Sequence, residues 1–343
     1  MCFYKYMCVL PLLYLCSGSS STHPVSVVFQ APSYVLFSGN TRLANYSHSS
    51  SYDPPWDNWP AQQAPDNMTE VPSYGAGIVA TNASLLVDGQ LSMLGNKPGA
   101  LLLQSSTATF TRIVSARNNA DNKGQQVIKD STATFQNLFV CNQDSKQHGL
   151  PNEPPLPPVV HTTTCIRVER SALQFDSTVI ARNGLQAPCD GYAVPCESRG
   201  GAAISCEDSS IKFKGRAQFS GNVYVAANGW GTVEPAEELG GGAWRLRSCN
   251  VVAEKWVGFR GNAAGWKGYQ DLSGGAVRAV NSSMLFQDGL ELTGTNASRG
   301  GGVWLNGSKM KLSGGRLVCK GNVANTQDGS CVELMGNSHW DHP

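Results

Sequence analysis

One unit of sequence recurs at a nearly fixed length, and that recurrence limits the fold more than any other feature of the chain. The unit opens at a Gly followed by small or apolar residues and closes at an Asn. It runs from Gly201 to Asn222, Gly242 to Asn262, Gly275 to Asn296 and Gly302 to Asn322, separations of 21, 20, 21 and 20. The same ruler fits Gly75 to Asn96 and Thr163 to Asn183, with shorter units near Ala100 and Gly124. Upstream, the pentapeptide Ser106–Phe110 returns unchanged as Ser131–Phe135. The intervals from one closing Asn to the next opening Gly are not fixed: 20, 13 and 6 in the last three links. A constant arc joined by variable lengths describes a coil whose insertions all leave from one corner.

Inside the arc the apolar residues alternate. Trp244 and Leu246 interleave with Arg245 and Arg247, and Val277 and Ala279 flank Arg278. Period two means strand, one side facing a core and the other water. Short strands that return to the same register after a constant arc stack in parallel, and each coil needs a neighbour to cover it. The expected fold is an all-β parallel β-helix solenoid over 73–343, with loops inserted at one edge. It comprises eight units plus a partial one opening at Ser330, and is best formed over 200–331. The arginine alternation turns Trp244 into the core, and Trp304, also two residues after its opening Gly, shares its slot.

The recurring Gly and Asn have backbone explanations. Gly201, Gly242, Gly275 and Gly302 stand where the chain turns into the next coil, and Gly tolerates positive φ there. Asn222, Asn262, Asn296 and Asn322 close the arcs; Asn accepts left-handed turns and can bond its counterpart one coil away, building an amide ladder. None of the glycine pairs follows a strand and opens a helix, so a phosphate cradle is not indicated.

The flanks read differently. Residues 1–18 match a signal peptide: one cation at Lys5, an apolar run from Tyr6 to Cys16, then small residues. That run is too short for a transmembrane segment, which needs about 20 residues. Residues 19–72 form a Pro-, Ser- and aromatic-rich cap or linker, with an outlying Phe37-Ser38-Gly39-Asn40. A Pro-rich insertion at about 143–162 is too stiff for helix or strand.

Beyond the leader, eight Cys form an even set, as in an oxidising compartment. No C-x-x-C pair occurs, so no zinc site is expected. Cys189 with Cys196, across a short loop, and Cys141 with Cys165, at the base of the Pro-rich excursion, are the candidate disulfides. Six sequons, at Asn45, Asn67, Asn82, Asn281, Asn296 and Asn306, are glycosylation candidates. Secretion or cell-surface exposure follows from the leader and the cysteines together.

With 26 basic against 25 acidic side chains and no Lys/Arg block, nucleic acid is not an expected partner. Catalysis finds little support. The six His lie outside the well-formed rungs, which removes the usual general base, and no metal or cofactor is called for. Glu207-Asp208 and Glu254 stand near equivalent turns of adjacent rungs and could form a carboxylate pair, but solvated turn residues are the simpler account. Trp230, Trp266 and Tyr269, in variable loops on the insertion edge, are the binding candidates, since exposed aromatics can stack on sugars or anchor a protein.

The openings Gly200-Gly201-Ala202, Gly241-Gly242-Ala243 and Gly274-Gly275-Ala276-Val277, with the closings Phe219-Ser220-Gly221-Asn222 and Phe259-Arg260-Gly261-Asn262, resemble the polymorphic membrane protein repeat. The resemblance is clear over 200–331 and faint over 75–185. It implies a right-handed, pectin-lyase-like β-helix, exposed at a cell surface and adhesive. Members known from chlamydial surfaces end in a membrane β-barrel, which this sequence lacks. The expected function is therefore non-catalytic adhesion, binding or wall and matrix structure, with carbohydrate or a surface protein as partner. The alternative is a divergent polysaccharide lyase or glycoside hydrolase.

Overall fold

The computed structural model describes residues 78–94, 100–117, 126–142, 164–186, 201–224, 240–265, 272–324 and 331–342, and four strands nearer the N-terminus. The described residues form strands and turns and no helix. The strands build three ten-stranded sheets and one of five strands. One coil shows the plan. Ile204–Glu207 lies in the first sheet, Ser210–Phe213 in the second, Ala217–Ser220 in the third and Val223–Tyr224 in the short corner sheet. Each pairs in parallel with the same strand of the next coil: Trp244–Arg247, Asn250–Ala253, Val257–Arg260 and Ala263–Ala264. The chain is a parallel β-helix, as its sequence periodicity predicts. Leu13–Tyr14, Val25–Phe29 and Tyr34–Ser38 extend the three sheets by pairing with Ile78–Thr81, Ala83–Val87 and Gln90–Leu94, and Cys8–Val9 pairs with Tyr34–Ser38.

Inward positions of the three sheets fill one continuous core. In the second sheet, Phe110, Phe135, Phe175 and Phe213 stack with ring centroids 4.7, 5.2 and 5.3 Å apart. The next residue in that column is Ala253. Its missing volume is filled from the first sheet by Trp244 of the same coil, whose ring stacks on Phe213 at 5.4 Å. Trp244 is 1% exposed, so it is core as expected. Each aromatic buried in this way contributes about 1.5–3 kcal/mol.

Two turns hold the coils in register. Between the first and second sheets, Asn82, Ser105, Asp130, Arg170, Asp208, Ser248 and Asn281 occupy the left-handed region at φ between 44 and 53°. A conformation that costs a non-glycine residue about 1–2 kcal/mol recurs because the next residue is tied down. That residue is Ser106, Ser131, Ser171, Ser209, Ser282 or Ser308 in six coils. Each hydroxyl donates to the carbonyl two residues back. Each also accepts an N–H from the coil before, at 2.9 Å for Ser106 N–H to Ser131 Oγ. The ladder breaks at Cys249, which joins Cys206 in a disulfide instead. Cys141–Cys165, one of the two candidate pairs, is also formed, and so is Cys319–Cys331. Cys189 and Cys196 lie outside the described residues.

After the third sheet comes the amide ladder. Asn262 Oδ1 accepts from Asn222 N–H at 3.0 Å and from its Nδ2 at 2.9 Å, while Asn262 Nδ2 donates to Phe219 O at 3.0 Å. Asn322 Nδ2 donates to Leu292 O at 2.9 Å.

Register corrects the count of letters at several places. Ile204, Trp244, Val277 and Val303 are in line, so the left-handed opening glycines are Gly201, Gly241, Gly274 and Gly300. Gly242 and Gly275 sit one place later and Gly302 two places later than that slot. Trp304 is consequently not in the slot of Trp244; a one-residue offset in a strand turns the side chain to the other face, and Trp304 stands in register with Arg278. In the third arc Thr295 takes the ladder place, donating its hydroxyl and N–H to Asn322 Oδ1 at 2.8 and 3.0 Å. Asn296 is exposed in the strand Asn296–Ala297. Upstream, Asn183 has the left-handed turn (φ 55°) that Gly221 holds in the next coil, and Gly184 fills the ladder slot. The true arcs, Gly201–Asn222, Gly241–Asn262 and Gly274–Thr295, are equal in length. The last is one longer, because Leu312 to Arg316 spans one residue more than Phe286 to Gly289.

Candidate functional site

The turn between the first and second sheets forms an open trough along the helix axis, lined from Asn82 to Lys309 through eight coils. Coils lie about 4.8 Å apart, so the trough is about 34 Å long. One wall is the first outward column of the second sheet, where Ser84, Thr107, Thr132, Ser210, Asn250 and Ser283 follow in register with one Ala between. The other is the row of left-handed residues. The lining is hydroxyl and amide with few charges. Two of those, Asp130 and Arg170, close on each other at 2.6 and 2.9 Å. Such a surface offers repeated neutral donors and acceptors at a spacing close to the rise per sugar of an extended β-linked chain.

Two sequons open onto this trough. Asn82 and Asn281 are exposed, and the serines completing their sequons, Ser84 and Ser283, lie in the strands beside them. Asn296 is exposed and Asn306 half-buried, while their partner serines, Ser298 and Ser308, are 3% and 0% exposed. Asn45 and Asn67 lie outside the described residues, as do the loop aromatics Trp230, Trp266 and Tyr269.

The described residues beside the insertion edge show what those loops leave from. Arg245, Arg278, Trp304 and Glu333 follow in register on the outward side of the first sheet, yet all four are buried. The guanidinium of Arg278 lies 5.0 Å from the Trp304 ring and its Nε donates to Ser273 Oγ at 3.2 Å. Arg299 holds Glu333 at 3.0 Å. A second, outer layer of packing therefore covers this face, built from charged and aromatic groups laid on one another.

Carboxylates elsewhere are held by cations on neighbouring coils. Arg260 grips Glu291 through two hydrogen bonds of 2.8 and 3.0 Å and holds its carboxyl below the usual range, with Thr293 assisting. Arg170 does the same to Asp130, and Lys311 to Asp341. These carboxyls bind protons less readily than usual, the reverse of what a general acid needs. The acidic pair conceived from sequence is not assembled: Glu207 ends a strand of the first sheet, whereas Glu254 follows the second-sheet strand Asn250–Ala253 and is held by Lys212 at 2.7 Å. A whole strand separates them. Among the described residues no group of three or more His, Cys, Asp and Glu is placed to hold a metal.

No family model, no curated protein and no solved structure matches the chain.

Proposed function

We propose that this chain is a non-catalytic binding or adhesive solenoid of the cell exterior, with repeats of the polymorphic membrane protein type. The observation that carries the reading is the trough: eight coils of hydroxyls and amides, open along its length, suited to an extended polysaccharide. The three disulfides fit an oxidising compartment. Among the described residues no helix is long and apolar enough to cross a membrane.

The test passes secreted protein over immobilised neutral and acidic polysaccharides while assaying for new reducing or unsaturated ends. Retention without product is the expected result. Asn250→Trp, which puts a ring in mid-trough, should weaken retention on neutral glucans about tenfold, the order of one lost anchoring contact. Release of product would replace this reading with the catalytic alternative.

A further inference from the structure

The third sheet carries a pattern that no stretch of sequence displays. Its outermost column is filled, coil by coil, by Arg117, Asn142, Arg182, Ser220, Arg260, Thr293 and Lys320, each in register with the next. A cation stands on every second coil, with an amide or hydroxyl between. Neighbouring cations are thus about 9.6 Å apart, and the row is about 29 Å long. All four cations are exposed.

Several cations on the other faces are neutralised one coil away, as in Arg170–Asp130, Lys212–Glu254, Lys214–Asp176 and Lys311–Asp341. This row does so once, at Arg260–Glu291. Among the described residues Arg117, Arg182 and Lys320 form no ion pair. Among the outward positions of the described third-sheet strands, Glu291 is the sole carboxylate. Beside the row, the next column runs Ser115, Val140, Ile180, Gln218, Gly258, Glu291 and Val318, with Val140, Ile180 and Val318 half-buried. At Gly258 a Cβ would collide with the Trp256 ring, so that the indole rests directly on the backbone. The face is a line of cations beside a mixed column, in which Val140 with Ile180, and Val318 further along, form apolar patches.

We infer that this face binds a linear anionic polysaccharide bearing one carboxylate or sulfate per disaccharide. The disaccharide of an extended, equatorially linked chain is close to two coil spacings in length. One anion per disaccharide then meets each cation through charge-assisted hydrogen bonds. The sugar between faces Asn142, Ser220 or Thr293, and ring faces rest on the apolar patches at Val140, Ile180 and Val318. A nucleic-acid strand, with a phosphate every 3.4 Å or so along the axis, is out of step with the row. The inference rests on the binding reading above and adds a second face to it, with a ligand of different charge.

The experiment measures affinity for hyaluronan (one carboxylate per disaccharide), κ-carrageenan (one sulfate), polygalacturonate (a carboxylate on every sugar), a neutral glucan and oligo-dT, across a salt series. Wild-type protein should bind hyaluronan or κ-carrageenan tightest, and which of the two leads identifies the anion. The affinity should fall steeply with salt. Arg117→Gln with Arg182→Gln should weaken it at least tenfold. Glu291→Gln, which releases the Arg260 guanidinium, should strengthen it several-fold, and Asn250→Trp should leave it unchanged. These positions are exposed or half-buried, and a single cooperative melt verifies each variant's fold, with Glu291→Gln melting lower for want of its ion pair. Equal binding of polygalacturonate or oligo-dT, or indifference to the double variant, overturns the inference. Binding of neutral glucan alone overturns it too, while sparing the trough reading; no retention on any polymer removes both.

Discussion

At the scale of single residues, the ladders make sharp distinctions between identical side chains. Asn262 accepts two bonds and donates one in the interior, so Asn262→Ala leaves the buried Asn222 N–H without its acceptor and takes one bond each from the Asn222 amide and the Phe219 carbonyl. A loss of about 3 kcal/mol is expected in chemical denaturation. Asn296→Ala, at an exposed position, should change stability by no more than about 0.5 kcal/mol. Equal losses at the two sites would contradict a register in which Thr295, not Asn296, follows Asn262 in the ladder. The Arg260–Glu291 pair adds a pH term. Its folded carboxyl lies below the ordinary value of 4.5, so its contribution is full above that value and is lost as pH falls below it. The gap in melting temperature between wild type and Glu291→Gln should therefore hold steady above about pH 5 and narrow as pH falls below it. Sequence disclosed the Asn ladder because the same letter recurs; it misplaced the slot at Asn296 because Thr295 stands in for Asn. At Gly300–Gly302 three glycines offer three openings, and only backbone φ separates them.

At the scale of the strand, volume is conserved across sheets more than along columns. Where the second sheet has Ala253, the first has Trp244; the coil before pairs Ile204 with Phe213, and the coil after pairs Val277 with Phe286. Trp244→Val alone should cost about 3–5 kcal/mol through the cavity it leaves, and Ala253→Phe alone about 1–3 kcal/mol through overpacking. The double variant copies the neighbouring coil and should return to within about 1–2 kcal/mol of wild type, a coupling that a double-mutant cycle measures directly. Strand identity was legible from alternation, and the inward turn of Trp244 with it. The outward layer of Arg278, Trp304 and Glu333 was not, because alternation says which side of a strand faces the core and nothing about what covers the other side. The cation row was further from view. Arg117, Arg182, Arg260 and Lys320 each stand two whole coils beyond the last, with insertions of unequal length between them, so no charge run is apparent along the chain.

At the scale of the molecule, each coil touches only its neighbours, so stability is a sum of local terms and opening starts at the ends. The disulfides should reflect this. Cys206–Cys249 and Cys141–Cys165 have no cysteine more than 2% exposed, whereas Cys319 is exposed in the penultimate coil. Mild reductant under native conditions, followed by alkylation and mass mapping, should open Cys319–Cys331 first and leave the other two intact until the coils separate. Simultaneous reduction of all three would indicate a single cooperative body instead. The solenoid itself was readable from the constant arc, since a strand that returns to its own register after equal arcs, with connections of such unequal length between, has to stack on itself.

That inequality has a practical side. Chain leaves the corner after Ala263–Ala264 and re-enters at Leu272 with the hydrogen-bond ladder undisturbed. The corner works as a splice point, since the ladder on either side of it is continuous. A foreign epitope grafted between Gly265 and Leu272 should be tolerated as a passenger, while the same graft between Ser282 and Ser283 would sever the serine ladder. The molecule is thus a rack with interchangeable signs, able to change what it presents to the outside without rebuilding the frame that presents it.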